Sequence, residues 1–291
     1  MTDPQLWISA AELGCFFGLL ALSYYVVLAG TGFFNFAVGP YAMVAGLCAT
    51  WLVINHGFEV WGAVAIAIVA TMVLAAATEL AVVRPVQRRS GRSELPPLVA
   101  VTAVLFAIEQ LAGVIFGYTT LPGQQLVNFA PILIGSSVIA PSDLLLVIVT
   151  VVVFVAMALW VRYARTGRLL RAIGDGRDAA QLLGLPVNRI RLVAFILSGL
   201  LAGIAGLLFA PKAGVSSTSG LDWALSGFLA LVVGGTATVW APLIGGLILG
   251  ALQIFIPFYF GGPSLSYLLL ILAIVFFAFR PQGIFVRRVR V

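Results

Sequence analysis

Charge is what this sequence has least of. Only 9% of its 291 residues are Asp, Glu, Lys or Arg, against 62% hydrophobic residues. Mean hydropathy is +1.14. That balance excludes a water-soluble globule and points to a multi-span helical membrane protein. The short alternating segments of a β-barrel are missing as well. Histidine is nearly absent: His56 stands alone beside Asn55 and Gly57, with no acidic or cysteine cluster, and reads as a solvated loop residue. The two cysteines, Cys15 and Cys48, sit in apolar runs, too few for a metal site or a disulfide framework. No motif for nucleophilic, metal or redox catalysis occurs. The chain is therefore not expected to be an enzyme or to bind a cofactor or metal itself. The N-terminal MTDPQLWISAAE lacks Lys and Arg, so it lacks the positive flank of a cleavable signal. The first apolar run is expected to stay as a membrane helix.

What the chain does have is apolar runs long enough to cross about 30 Å of hydrocarbon. They cover roughly 9–29, 33–54, 60–83, 97–117, 142–163, 191–211, 224–257 and 264–279. The expected fold is an all-α polytopic membrane protein of about eight or nine segments, forming one transmembrane domain over 1–291. The net charge of +6 tempts a nucleic-acid reading, which the distribution removes. All fifteen arginines lie in 84–92, 162–191 or 280–290; the one lysine, Lys212, lies apart. Such clustering marks the cytoplasmic side. It places loop 118–141, which has no basic residue, outside, with the N-terminus outside and the C-terminus cytoplasmic. Lys212 then falls on the outer side, an exception to the rule.

The run 224–257 is long for one span and short for two, and Gly234-Gly235-Thr236 with Pro242 interrupts it. It reads as two short helices or a re-entrant hairpin. Non-helical backbone at membrane depth is tolerated where it is buried in protein or lines a watery cavity, so the break is a candidate pathway element. A similar break occurs at Gly30-Thr31-Gly32, with Asn35 and Gly39-Pro40 following. LALSYYVVLAGTG at 20–32 parallels LALVVGGT at 229–236, as internal repeats of transporters do; chance similarity between Gly-rich helices is the competing reading. Thr31, Asn35, Ser198 and Thr236 are uncharged polar groups at or near breaks, suited to a pathway for small polar solutes. Glu109 is the ionisable group deepest in the membrane, about 18 Å from the cytoplasmic end of its run. It reads either as a functional group or as part of a packed, protonated or hydrogen-bonded Glu109–Gln110 pair. Glu79 is expected to pair with Arg84, one turn on. Gly14/Gly18, Gly113/Gly117, Gly199/Gly203 and Gly246/Gly250 each stand four apart, which permits close helix contact.

One polar island, Arg165 to Arg191, holds six of the sixteen basic residues. Within it Asp175 is expected to cap a short helix that Gly184 and Pro186 stop. Ala179, Ala180, Leu182 and Leu183 then give a small apolar face. Such a helix suits docking to a soluble partner; lying at the lipid headgroups is the alternative.

The island LLRAIGDGRDAAQLLGLPVNRIR, followed by FILSGLLAGIAGLL, resembles the coupling segment and next helix of branched-chain amino-acid-type ABC permeases, the LivH group. Similar stretches are GTGFFNFAVGPYAMVAG, ELAVVRPVQRR, FLALVVGGTATVWAPLIGGLILGAL and the terminal FRPQGIF. The resemblance implies the permease subunit of an ATP-driven importer, for branched-chain or other apolar amino acids. It implies two ATP-binding cassette subunits holding ATP and Mg, a second LivM-like permease and an external binding protein. Arg171, Ala172, Gly174, Asp175, Ala179, Ala180, Leu183 and Gly184 carry over as coupling positions. The chain departs from the family pattern at Asp175-Gly176-Arg177 and at Val239 to Pro242. Two other readings stay open: a proton-coupled carrier working through Glu109, and a passive channel for urea or small amides.

Overall fold

The computed structural model describes residues 4–90, 95–134, 137–175, 180, 182–262, 267, 271 and 274. Among them seven helices are long and apolar enough to cross a membrane. They are α1 (Pro4–Thr31), α2 (Val38–His56), the continuous span Val60–Ser90, α5 (Leu95–Phe116), α6 (Pro141–Tyr163), α8 (Val187–Ala213) and α10 (Ala241–Phe260). The span Val60–Ser90 comprises α3 (Val60–Ala77), a π-helical turn (Thr78–Val83) and α4 (Arg84–Ser90). Two further helices are α7 (Arg165–Asp175), on the polar island, and the short apolar α9 (Ser219–Gly234). Among the described residues, extended pairing occurs in loop 118–141, where β1 (Ile132–Ile134) pairs antiparallel with β2 (Ser137–Ile139), and at the single bridge Leu121–Val215. Gln5 ties the β1–β2 pair to α1 by accepting the Val138 N–H at 3.0 Å.

Lipid tails are as apolar as leucine, so oil-like contact gives helices no reason to associate in a membrane; close backbone approach does. Here α1 and α10 mesh two glycine stripes. A Cβ on Gly246 would strike the backbone of Gly14 and Gly18, and one on Gly250 would strike Gly14. Gly199 and Gly203 of α8 likewise meet Thr71 and Ala75 of α3. Three of the four expected glycine pairs thus make helix contacts. The fourth does not: Gly113 faces the Tyr118 ring, and Gly117, at φ 88°, ends α5.

The apolar run expected over 33–54 begins its helix only at Val38. Residues 32–37 are non-helical, and Phe33, Asn35 and Ala37 are buried. Asn35 enforces this by accepting the Ala37 N–H on its own Oδ1 at 3.1 Å, a local turn that competes with helix. The run 224–257 is two helices. Sixteen-residue α9 rises about 24 Å, short of a full crossing, and the link to α10 folds Gly234 against Ala241 and Gly245.

The expected repeat of 20–32 in 229–236 is corrected. The helix–break–helix order α1–α2–α3 recurs as α8–α9–α10, with Val38 and Ser219 standing 181 positions apart, as do Val60 and Ala241. The two units run in opposite senses. Down α1 and up α8, Phe16 stacks on Phe209, Ser23 bonds Ser198, and Gly30 meets Ala194. The similarity in sequence at 229–236 is therefore shared Gly/Leu composition. The repeat lies in chain geometry.

Candidate translocation and coupling sites

The two broken helices meet head to head. Gly39, at the start of α2, lies so close to Gly220 and Ala224, at the start of α9, that a Cβ would stand 2.7 Å from the Ala224 methyl and nearer still to backbone. Pro40 covers the other side of Gly220. The Thr218 side chain gives α9 no cap. Glu109 supplies one from α5: its Oε1 accepts the Leu221 N–H at 2.7 Å. Orphan N–H groups at a helix start need acceptors, and Glu109, 8% exposed, supplies one as the cap of α9. Its partner is this N–H of α9, 112 positions away.

The other expected pathway residues divide. Asn35 is buried at the approach to α2, beside the Tyr41 hydroxyl, which also lies beside Thr78. Thr31 donates to the Val27 carbonyl at 2.7 Å, finishing its own helix. Ser198 pairs with Ser23 at 2.7 Å, a polar stitch between α1 and α8. Thr236 is exposed in the α9–α10 link. Glu109 therefore stands at the α2–α9 meeting point and Asn35 in the stretch leading into α2, while Ser198 joins two helices, Thr31 closes its own and Thr236 is exposed.

Helix α8 carries a cation at each end. At one, Arg191 Nε donates to Glu79 Oε1 at 2.7 Å, while Arg84 Nε reaches the same oxygen at 3.4 Å. Arg191 also bonds Gln87. The expected Glu79–Arg84 pair is present, and Arg191 is the nearer partner. At the other end Lys212 pairs with Glu12 of α1 and stands 4.0 Å from Asp143 of α6. That pairing explains how a lysine sits at the end remote from the arginines. Sequence reasoning missed Glu12, Asp143 and the Arg191 contact; acids inside apolar runs were the available signal. Lys212→Met should lower thermal stability, by more than the ~1 kcal/mol of exposed pairs and less than the ~3 kcal/mol of fully buried ones. Lys212 is 37% exposed while Glu12 is buried, so a melting curve in detergent should drop by a few degrees; an unchanged curve refutes it.

The helix expected from Arg177 to Leu183 lies mostly outside the described residues. Asp175, expected at its start, is the last residue of a helix that precedes it, α7. Gly167, Leu170 and Ile173, three apart, face inward; Arg165, Arg168 and Arg171 face outward. Leu170 packs against Gly30 and Gly174 against Ala29, seating α7 on the end of α1. Arg171 and Ala172 are exposed. Ala179 lies outside the described residues. Ala180 is buried in the core and so leaves the expected apolar face. Leu182 and Leu183 remain on it, 89% and 77% exposed. Gly184 turns the chain at φ 74°, and the Leu185 N–H bonds the Ala180 carbonyl.

The family model described as "Branched-chain amino acid transport system / permease component" matches residues 8–278. The chain belongs to this family. The permease is 28% identical over 269 residues to the high-affinity branched-chain amino acid transport system permease protein LivH of Salmonella typhimurium, covering 86% of this chain and 84% of that one. It is 27% identical over 296 residues to the corresponding protein BraD of Pseudomonas aeruginosa, covering 96% and 94%. To the probable branched-chain amino acid transport permease protein LivH of Methanocaldococcus jannaschii it is 30% identical over 279 residues, covering 91% and 87%. As a permease component with seven membrane-length helices among the described residues, it is an integral membrane transport subunit and not an enzyme.

Proposed function

We propose that this permease is the membrane-spanning subunit of an ATP-driven importer carrying branched-chain or other apolar amino acids from an external binding protein into the cytoplasm. The observation that carries the reading is the elbow. Leu182 and Leu183 are exposed at the tip of a segment otherwise fixed to the bundle through Leu170, Ile173 and Ala180. Large apolar side chains in such a place fit a groove on a soluble partner, and a rigid mount turns that partner's motion into helix motion.

In this scheme the whole chain, 1–291, acts as one transmembrane domain beside a second, LivM-like permease. Two ATP-binding subunits hold the ATP and Mg. The N-terminus lies outside and the C-terminus in the cytoplasm. Arg171, Ala172, Gly174, Asp175, Ala179, Ala180, Leu183 and Gly184 form the coupling segment; the inward members seat it and Leu183 and Arg171 face the partner. Solute passes where α2 and α9 meet, beside Asn35 and Glu109. The relatives' names supply the amino-acid class.

Purifying the tagged permease in gentle detergent from its own cells tests the assembly: two ATP-binding subunits and a second permease should co-elute. Recovery of the chain alone, under conditions where other ABC complexes survive, refutes it. Leu182→Asp with Leu183→Asp should cut uptake at least tenfold and release the ATP-binding subunits, with the permease still present in the membrane. Uptake that survives both changes removes the elbow from the mechanism.

A further inference from the structure

The buried pair Glu79–Arg191 joins the π-helical turn of the span Val60–Ser90 to the start of α8. We propose that Glu79 and Arg191 are positioning residues for transport, the joint through which movement of the elbow displaces the start of α2; this rests on the importer reading above.

Arg191 is firmly tied to the elbow. From Leu183 the chain passes the Gly184 turn, Leu185 and Pro186, and is helical again at Val187. Arg191 is one turn further on, eight positions from Leu183, so in the proposal a displacement of Leu182 and Leu183 is carried to it through this short turn.

Glu79 is built to receive that displacement. It lies in the π-helical turn of the span Val60–Ser90, fully buried. A π turn widens the helix by one residue and is a place where a helix yields. Three groups, Arg191, Arg84 and Gln87, converge on this spot through Glu79 Oε1 and the Arg191 guanidinium. Glu79 Oε2 has no hydrogen-bond partner among the described residues. The clasp therefore has an acceptor in reserve: Arg191 can exchange one carboxylate oxygen for the other without being left unpaired.

The neighbouring Thr78 and Tyr41 of α2 are both buried. Tyr41 is two residues from Gly39, whose backbone touches Gly220. In the proposal a shift of the π turn is passed to the start of α2 by way of Tyr41. Stability gives no sufficient reason for the pair, since an apolar pair of similar volume does as well in a buried place.

The test uses the complete importer, reconstituted in liposomes with its ATP-binding subunits and binding protein. Its wild-type assembly checks the importer reading separately, before any variant is made. A single change leaves a buried charge unpaired and risks misfolding, so the decisive variant replaces both residues, Glu79→Met with Arg191→Met. Expected are normal assembly, continuing ATP hydrolysis and solute moved per ATP reduced at least tenfold. The exchange Glu79→Arg with Arg191→Glu should recover part of that ratio. An unchanged ratio in the double methionine variant overturns the proposal. So does failure of that variant to assemble, or a loss of transport and hydrolysis in equal proportion, since either makes the pair a folding element only.

Discussion

Gly39→Ala should cut uptake at least tenfold. Its added methyl would stand 2.7 Å from the Ala224 methyl and closer to the Gly220 carbonyl and Ala224 nitrogen. Two of these three obstacles are backbone, so no side-chain rotation relieves the clash, and α2 and α9 must separate. Overpacking of this kind costs about 1–3 kcal/mol where side chains can yield, and more is expected here. The separation also pulls the Leu221 N–H from Glu109. The control is Gly62→Ala on α3, where an added Cβ meets nothing within 4 Å; it should transport normally. Uptake in cells, normalised to the permease present in the membrane, reads both. Equal uptake by the two variants would show that the α2–α9 contact is not the point that governs passage.

Replacing Glu109 separates two kinds of transporter. A cap needs an acceptor oxygen, which Glu109→Gln keeps; a proton carrier needs a titratable group, which the same change removes. Uptake by Glu109→Gln should stay within about threefold of wild type, because a neutral acceptor forfeits only part of the hydrogen bond's strength. Glu109→Leu should lose at least tenfold, since the Leu221 N–H is then buried unpaired at about 1–3 kcal/mol. A protonophore should leave uptake unaffected while ATP is maintained. Loss of uptake in Glu109→Gln equal to that in Glu109→Leu, together with collapse under the protonophore, would establish the proton-coupled carrier instead.

Much of the fold was legible because membrane sequences are severely constrained. Apolar runs announce their spans, and arginine clusters their ends. The break at 224–257 was visible through Gly and Pro, and the stretch after Gly32 through Asn35. Helix α7 on the island was overlooked because capping residues were weighed above spacing. Gly167, Leu170 and Ile173 carry a three-residue period that alternates with Arg165, Arg168 and Arg171, and that period fixes α7. The repeat escaped because it is carried by helix starts 181 residues apart, with little identity between the side chains.

The candidate sites were less legible, for one reason. Local sequence shows that Glu109, Glu79, Lys212 and Arg191 are charges in or beside apolar helices, which requires that each find a partner. It does not say which. Glu109 finds a backbone N–H 112 positions away, and Arg191 an acid at the same separation. The sequence alone determined that this is a helical membrane protein, roughly where most of its apolar helices fall, which family it resembles and which residues needed partners. Tertiary structure decided the partners, the meeting of α2 with α9 and the seating of the elbow. Composition sets the solvent a chain must face, whereas pairing depends on which helix faces come together, and that is fixed only when the glycine stripes close.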